Sequence, residues 1–388
     1  MKKRILFCLQ TMVCGGVEKE LITILKRFDR DRFDISLLLL YDSGDNITSQ
    51  LPSYVNVIDL SVDKDYYFAD LATYVKKRIK YGKLKKASEA LYKRLFRKIP
   101  VPAFSEIDSI PNLEETFDIA VCYHAHSPVC LRYVSEKIIA SQYFLWIHND
   151  FTTTGYKVDL YREWLNKYQR FICVSTVLKN EFLEICPEFS SQTTVAHNII
   201  DKDEIIEKMH FLDDDIIAFQ KDSALKILTV GRFVEQKGFD LAIRACKLLV
   251  TQGYNVRWYA IGYGDELERM QSLISELELN NYFIILGRKD NPYPYMKYTD
   301  LYVQTSRHEG YAITIEEVKA IGSYIIATDF AGVREQLLNE KYGTVIRDFT
   351  PRSIAESIIK FINSPKDHKV IMDESNDLNW AVIESYFL

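Results

Sequence analysis

The sequence predicts an α/β fold of two doubly wound domains. The chain has 388 residues, which is too long for one ordinary hydrophobic core. Its composition, 47% hydrophobic and 27% charged, is that of a soluble globular protein. Short apolar, β-prone runs alternate with helical patterns, and this alternation is typical of parallel sheets with helices on both faces. The net charge of −5 indicates no general attraction for nucleic acid.

The cysteines and the first residues indicate where the protein resides. Seven cysteines, an odd number, are scattered without a Cys-x-x-Cys pair, and they predict reduced core residues of a cytosolic protein. Residues 1–4 are mostly basic, but the apolar run that follows covers only residues 5–9, so we expect a first strand rather than a signal peptide. No run approaches the ~18 apolar residues needed to span a bilayer. We expect a protein in the cytoplasm or on a membrane surface.

The N-terminal half begins with a strand, a loop and a helix. The strand is predicted at residues 5–9 and the helix at residues 17–28, with Gly15 and Gly16 between them. Such a glycine pair lets backbone amides approach an anion at the helix N-terminus, or simply makes a tight turn. Further strands are predicted at residues 33–41, 55–60, 117–122 and 143–147. His124 and His126 follow one of these strands, but no third ligand is evident, so we expect no metal.

Residues 76–98 have a different composition, with eleven basic residues, a single acid and interleaved apolar residues. This pattern favours a basic amphipathic helix on an anionic membrane surface, although a solvated helical face would show the same pattern. Nucleic acid is a poorer partner, because the rest of the chain is acidic. The residues predicted for membrane contact are Lys76, Lys77, Arg78, Lys83, Lys85, Lys86, Lys93, Arg94, Arg97 and Lys98.

The stretch from residue 300 to residue 338 carries the clearest signals. It reads as strand, loop, helix and strand, with a helix that begins near Ile313 and stops at Gly322. Ligands bind at the carboxyl ends of strands in such units, and Glu309 lies there. Glu317 shares the apolar stripe of the helix, so its carboxylate needs a partner. The alternatives are a solvated loop charge for Glu309 and a helix-start charge for Glu317.

Another loop of the C-terminal half carries two cations. A predicted strand at residues 226–230 is followed by residues 231–238, which include Arg232 and Lys237. Two cations on one loop can stabilise a group with concentrated negative charge, whereas the alternative is a pair of surface side chains. Gly262 and Gly264 follow the strand at residues 258–261 and give a weak nucleotide-loop signal.

Glu309, seven intervening residues and Glu317 resemble the C-terminal domain of retaining glycosyltransferases of family 4. Ser306 and Arg307 before them, and a Gly-x-x-Glu at residues 332–335 after them, strengthen the likeness. This family has the GT-B fold, in which two Rossmann-like domains face each other across a cleft. The resemblance covers almost the whole chain. It implies an acceptor-binding domain at residues 1–200, a donor-binding domain at residues 201–375 and a closing helix at residues 376–388 that returns to the N-terminal domain.

The resemblance also implies roles for single residues. Glu309 and the following backbone would hold the donor sugar, and Glu317 would take the ribose hydroxyls. The family usually has Glu-Gly-Phe-Gly at these positions, but here Tyr311 and Ala312 are the last two residues. This difference leaves the choice of donor open. The donor-binding residues implied are Gly15, Gly16, Arg232, Lys237, Gly262, Arg288, Glu309, Gly310, Tyr311, Ala312, Ile313 and Glu317. His126 and His148 would bind the acceptor, and Glu309, His148, Arg232 and Lys237 would be the catalytic set.

The function implied is a metal-independent, retaining hexosyl transfer without a cofactor. The donor would be a nucleotide diphosphate-sugar, most simply a UDP-sugar, and the acceptor a hydroxyl of a lipid-linked glycan. The pathway would be capsule, O-antigen or exopolysaccharide synthesis at the inner face of the cell membrane. Two alternatives remain: a catalytically poor GT-B subunit that docks a partner enzyme at the membrane, and a UDP-sugar epimerase.

Overall fold

The computed structural model describes residues 2–13, 15–41, 47–62, 107, 110–149, 151, 161–338, 341–364 and 375–388. The basic segment at residues 76–98 lies outside these residues. The chain forms two compact units. The first comprises Met1–Val174, Leu178–Ala196 and Val382–Leu388, and the second comprises Ser175–Val177 and His197–Ala381.

The first unit is built on a parallel sheet. Its strands are β1 (Lys3–Leu9), β2 (Phe33–Tyr41), β3 (Asn56–Val62), β4 (Thr116–Cys122), β5 (Ile139–Ile147), β6 (Arg170–Cys173) and β7 (Thr193–Val195). In the described residues these seven strands lie in the order β3-β2-β1-β4-β5-β6-β7, and each neighbouring pair is parallel. The helices of this half of the chain are α1 (Gly16–Arg27), α2 (Pro128–Lys137), α3 (Arg162–Leu165) and α4 (Thr176–Ile185), with short 3₁₀ segments at Thr48–Gln50 and Pro187–Gln192.

The core of the first unit lies around β1 and includes the end of the chain. The five side chains at residues 5–9 of β1 are fully buried, as expected for a strand covered on both faces. The ring of Phe387 lies 5.8 Å from the ring of Phe7 and 5.2 Å from that of Phe28. The hydroxyl of Tyr386 donates a hydrogen bond of 3.0 Å to the carbonyl of Val195. The last residues of the chain therefore pack into the first unit.

The second unit is built on another parallel sheet. Its strands are β8 (Leu225–Val230), β9 (Val256–Ile261), β10 (Phe283–Gly287), β11 (Leu301–Gln304), β12 (Ile325–Thr328) and β13 (Gly343–Ile346). The described strands lie in the order β10-β9-β8-β11-β12-β13, all parallel. The helices of this half of the chain are α5 (Lys202–Lys208), α6 (Asp214–Lys221), α7 (Phe239–Thr251), α8 (Leu267–Glu276), α9 (Tyr293–Tyr298), α10 (Ile313–Ile321), α11 (Val333–Gln336), α12 (Pro351–Asn363) and α13 (Ser375–Ser385), with a 3₁₀ segment at Glu235–Lys237.

Local signals explain several helix ends. The helix α10 ends at Gly322, which has the left-handed φ of 89° that glycine adopts without strain. The carboxylates of Asp201 and Asp213 cap α5 and α6 by accepting hydrogen bonds from backbone amides three residues later, at 3.1 and 2.8 Å. These aspartates therefore stabilise helix starts.

The strand order of both units is that of the doubly wound fold. In each unit the order reverses between the first strand and the fourth, that is, between β1 and β4 and between β8 and β11. Ligands of such sheets bind beside the carboxyl ends of the strands at this switch point. The predicted fold class of two Rossmann-like domains is confirmed. The six cysteines in the described residues are buried and form no disulfide, and none of the described helices has the length and apolarity to cross a bilayer.

Candidate functional site

A candidate site of the second unit lies at the carboxyl ends of β8 and β11, on either side of the switch point. The loop after β8 carries Lys237, and the loop after β11 carries Glu309. The ammonium of Lys237 forms an ion pair with Oε1 of Glu309. Both side chains are largely buried, with 16% and 10% of their surfaces exposed. The structure thus joins two of the residues predicted for donor binding.

Arg232 precedes Lys237 on the loop but differs from it in environment. Its side chain is exposed, and in the described part of the chain no carboxylate pairs with it. The loop is held by a hydrogen bond of 2.7 Å from the amide of Phe233 to the carbonyl of Tyr263. Arg232 therefore sits on a fixed backbone with its guanidinium accessible to an anion.

The carboxylate of Glu309 is oriented by a buried network. The hydroxyl of Ser306 donates to Oε1 of Glu309 at 2.7 Å, and the amide of Gln304 donates to the same oxygen at 3.4 Å. Gln304 is itself fixed, because its carbonyl oxygen accepts a hydrogen bond of 2.7 Å from the hydroxyl of Tyr302. Within the described residues, the hydrogen bonds to Glu309 all reach Oε1. Oε2 is the oxygen that can accept from a ligand.

The glycines after β9 support the cationic loop. A Cβ atom at Gly262 would collide with the carbonyl of Gly231, and one at Gly264 would lie 2.8 Å from the amide nitrogen of Phe233. Real Cβ atoms do not approach that closely, so these positions accept only glycine. Gly262 was predicted for donor binding, and the structure shows that its backbone packs against the loop that carries Arg232.

The carboxylate of Glu317 has a buried partner. Glu317 is 4% exposed, and its Oε1 accepts a hydrogen bond of 3.1 Å from the hydroxyl of Tyr293. Burial, and then the charge of Glu317, raise the pKa of Tyr293, so the phenol stays protonated and donates. Tyr293 therefore fixes the orientation of the residue predicted to take the ribose.

The loop between Glu309 and α10 is held by a buried glutamine. The side chain of Gln336 accepts from the amide of Ala312 and donates to its carbonyl, both at 2.9 Å. It also donates to Oε1 of Glu316 at 2.9 Å, and Glu316 pairs with Lys319 at 3.0 Å. Gln336, Glu316 and Lys319 are all buried. The amide of Ala312, predicted for donor binding, is thus engaged within the protein.

Tyr311 and the residues beside it complete this loop. The ring of Tyr311 stacks on His197 with centroids 5.0 Å apart, and its carbonyl accepts from the side chain of Asn198 at 3.1 Å. Gly310 precedes it, and Ile313 begins α10 with its amide at the helix N-terminus. The N-terminus of a helix favours a negatively charged group. The carboxyl-side edge of the sheet therefore offers cations, a carboxylate oxygen and a helix N-terminus.

Arg288 directly follows β10 and is exposed. Its guanidinium lies 5.3 Å from the centre of the Tyr263 ring and 3.6 Å from a carboxylate oxygen of Asp290. A cation over an aromatic ring makes a planar surface on which a flat ligand can stack. Arg288 was predicted for donor binding, and the structure places it beside the ring of Tyr263.

In the first unit, a second cluster lies at the carboxyl ends of β1 and β4 and the start of α1. Nε2 of His124 lies 3.4 Å from a carboxylate oxygen of Glu18, and Nδ1 accepts from the amide of Gln10 at 3.3 Å. Burial opposes the charged imidazolium, but the hydrogen bond and charge of Glu18 outweigh it, so the pKa of His124 is raised. Gly15 is next to this carboxylate, since a Cβ there would collide with Glu18. Gly16 begins α1.

His148 follows β5 and is 7% exposed. Its Nδ1 lies 3.6 Å from a carboxylate oxygen of Glu20. Burial, and then the charges of His124 and His126, hold the pKa of His148 well below its usual range, so the ring is neutral at pH 7. Neither ring nitrogen has a hydrogen-bond partner among the described residues. A neutral imidazole of this kind can accept from or donate to a ligand hydroxyl.

His126 is placed differently from the other two histidines. Its ring stacks on Phe151, with centroids 4.6 Å apart and an angle of 17° between the planes. The structure thus gathers His124 and His148 around the acidic start of α1, and gives His126 an aromatic partner.

Sequence reasoning missed several residues of both clusters. Glu20 lies four residues before Ile24 on the apolar stripe of α1, so the spacing argument that identified Glu317 would also have found it. Tyr293 and Gln336 leave no such signal, because a buried tyrosine or glutamine is identified only by the partner that the fold supplies.

Comparison with known proteins agrees with this architecture. Residues 213–376 match the family model described as glycosyl transferases group 1. An uncharacterized glycosyltransferase of Methanocaldococcus jannaschii is 26% identical over 245 residues, or 56% of this chain and 59% of that protein. A capsular polysaccharide biosynthesis glycosyltransferase of Staphylococcus aureus is 25% identical over 203 residues, or 48% of this chain and 50% of that protein.

A further relative has a name that includes its acceptor. The N-acetylgalactosamine-N,N'-diacetylbacillosaminyl-diphospho-undecaprenol 4-alpha-N-acetylgalactosaminyltransferase of Campylobacter jejuni is 28% identical over 159 residues, or 40% of this chain and 43% of that protein. The chain thus spans about half the length of the curated relatives it matches.

A solved structure shares the fold over nearly the whole chain. Anabaena HepE, crystallised in complex with UDP and glucose, has a TM-score of 0.67 and 16% identity, and the match covers 98% of this chain and 97% of that chain. At this identity the likeness shows the fold alone. Residues 213–376 are thus similar to the glycosyl transferases group 1 family, and the chain has the two-domain GT-B fold.

Proposed function

We propose that the protein is a retaining glycosyltransferase of family 4 that transfers a hexose from a UDP-sugar to a hydroxyl of a lipid-linked glycan. The observation that carries the proposal is the ion pair of Lys237 with Glu309, in which one carboxylate oxygen is occupied and the other is available. Such a pair can bind a phosphate through the cation and a sugar hydroxyl through Oε2.

The second unit supplies groups for each part of the donor. Glu317, fixed by Tyr293, accepts from the ribose hydroxyls. Arg232 and Lys237 neutralise the diphosphate, and Arg288 over Tyr263 gives the base a surface to stack on. Two relatives support the substrate class by their names: HepE was crystallised with UDP and glucose, and the Campylobacter jejuni protein acts on a diphospho-undecaprenol.

In the route we favour over a covalent intermediate, the acceptor oxygen attacks C1 of the sugar on the face from which the leaving group departs, so the configuration at C1 is retained. The bond from C1 to the β-phosphate oxygen breaks as the bond from C1 to the acceptor oxygen forms, and the acceptor proton passes to the departing phosphate. The charge that develops on the diphosphate is stabilised by Lys237 and Arg232. In this proposal no metal takes part, because the two cations perform the neutralisation.

The first unit supplies the acceptor side of the proposal. His148 is buried and neutral, so its imidazole can exchange a hydrogen bond with an acceptor hydroxyl. The basic segment at residues 76–98 would hold the protein on the anionic inner surface of the cell membrane, where lipid-linked glycans are presented. The homologues in polysaccharide biosynthesis favour a capsule, O-antigen or exopolysaccharide pathway.

A panel of UDP-, GDP- and ADP-sugars tests the proposal. Thermal shift and donor hydrolysis are measured on the purified protein, with and without EDTA, and then with undecaprenyl-diphosphate-linked glycans as acceptors. We expect one UDP-sugar to stabilise the protein, independently of EDTA, and the effect to vanish in Glu317→Ala. Control proteins carry Glu276→Ala, an exposed change on α8. Sugar conversion without an acceptor would indicate an epimerase, and no shift with any nucleotide would indicate a non-catalytic subunit.

A further inference from the structure

A second pair of charged side chains, besides Lys237 and Glu309, joins the loop after β11 to the start of α7, the helix that follows the loop after β8. The guanidinium of Arg307 binds the carboxylate of Asp240 with two parallel hydrogen bonds, Nη1 to Oδ1 and Nη2 to Oδ2, both 2.8 Å. Nη1 also donates to the carbonyl of Glu235 at 2.7 Å. Such a bidentate arrangement fixes both the distance and the relative orientation of the two partners.

Backbone contacts extend this connection along both loops. The amide of Arg307 donates to the carbonyl of Gln236 at 2.7 Å, and the side chain of Gln236 donates to the carbonyl of His308 at 2.9 Å. The hydroxyl of Thr305 donates to the carbonyl of Lys237 at 3.0 Å. Arg307 therefore holds the backbone on either side of Lys237, two residues before Glu309.

The charges of the pair favour this arrangement over a solvent-exposed one. Arg307 is 31% and Asp240 18% exposed at the side chain. Burial would raise the pKa of Asp240, but the hydrogen bonds and charge of Arg307 outweigh it and lower that pKa. Both terminal nitrogens of the guanidinium already donate within the protein, so a phosphate would have to displace existing bonds.

We propose that Arg307 and Asp240 are positioning residues, which hold the ammonium of Lys237 against Glu309 and make no contact with the donor themselves. This proposal rests on the proposed function, because it assigns the geometry of the same donor site. Its chemical basis is that a leaving diphosphate is stabilised only by a cation held where the charge develops. A displacement of about 1 Å at such a site can lower the rate about a hundredfold.

The test compares Arg307→Ala, Arg307→Lys and Asp240→Asn with the wild type, using turnover of the UDP-sugar that the wild type accepts. We expect Arg307→Ala and Asp240→Asn to lower kcat/KM about 10- to 100-fold. Arg307→Lys keeps the charge but loses the two parallel bonds, so it should lose most of the activity as well. The matched control is Arg257→Lys, which alters an Arg–Asp pair of 2.7 Å with Asp222 at the opposite end of the same sheet, and should retain activity.

A double-mutant cycle separates positioning from general destabilisation. If Arg307 acts through Lys237, Arg307→Ala should cost less than about threefold when Lys237 is already alanine. Effects that multiply in the double variant would overturn the proposal. Full activity of Asp240→Asn or of Arg307→Lys would also overturn the proposal. It would indicate instead that Arg307 contacts the phosphate directly. A wild type without turnover of any nucleotide-sugar would contradict the proposed function itself, before any variant is compared.

Discussion

The hydrogen bond between Tyr293 and Glu317 gives a sharp test of how the proposed ribose site is built. Removing the hydroxyl by Tyr293→Phe leaves a carboxylate that is 4% exposed without its 3.1 Å donor. A hydrogen bond to a charged group contributes about 1.5–3 kcal/mol. Since the ring remains and fills the same space, we expect the free energy of unfolding to fall by about 2 kcal/mol, which lowers the melting temperature by about 4–8 °C in a unit of this size.

The assay is calorimetric or chemical unfolding of four variants: Tyr293→Phe, Tyr298→Phe, Glu317→Ala and the double variant with Tyr293→Phe and Glu317→Ala. Tyr298→Phe is the control, because this tyrosine lies on the same helix, is half-buried, and has no hydroxyl partner among the described residues. Tyr298→Phe should lower the free energy of unfolding by less than about 0.5 kcal/mol. In a Glu317→Ala background, Tyr293→Phe should also cost little, because the partner is already gone. An undiminished cost in that background, or no cost in the wild type, would refute the inference that Tyr293 serves Glu317.

The remaining predictions concern the core, the loop before α10 and the pH dependence. Phe387→Ala should lower the free energy of unfolding of the first unit by about 3–5 kcal/mol in urea denaturation, because the ring fills the core beside Phe7 and Phe28. Gln336→Leu should lower the free energy of unfolding by about 1–3 kcal/mol for each buried group left unpaired. Gln252→Leu, at the end of α7, is the control and should leave the free energy of unfolding unchanged. Because the pKa of His148 is lowered, the folded protein favours the neutral imidazole over the charged one. Its contribution to the free energy of unfolding is therefore present above about pH 6.5 and is lost as the pH falls. His124 has a raised pKa and acts in the opposite direction, so the wild type must be compared with His148→Gln. This variant should lose less free energy of unfolding between pH 6.5 and pH 5, by up to about 1.4 kcal/mol per pH unit. An unchanged slope would contradict the assignment.

The fold class was predictable because periodicity and order along the chain determine it. A strand such as β1, buried on both faces, appears as a continuous apolar run, and a helix such as α10 ends at the glycine that its geometry requires. These signals are local, so they survive without knowledge of distant neighbours. Predicted bounds differ from the observed ones by a few residues, as with the strand expected at residues 55–60 and found as Asn56–Val62.

The charged residues of the second unit were predictable for a different reason. Arg232 and Lys237 follow a strand, and so does Glu309, so the carboxyl ends of parallel strands bring all three to one edge of the sheet. Glu317 stood out because a carboxylate on an apolar stripe violates the hydrophobic pattern. What the pattern could not supply was the partner, since Tyr293 is separated from Glu317 by 24 residues and meets it only after the sheet has formed.

The residues proposed to orient the site are harder to predict than those proposed to bind the donor. Asp240 and Arg307 are 67 positions apart, and each alone reads as a surface charge near a helix or loop. Their relation follows from the adjacency of β8 and β11, which is a property of the strand order and not of either segment. The same holds for Gln336, whose amide meets Ala312 across 24 residues. A motif can therefore identify Lys237 and Glu309 by spacing, whereas the geometry that makes them a site depends on contacts between segments that the sequence lists far apart.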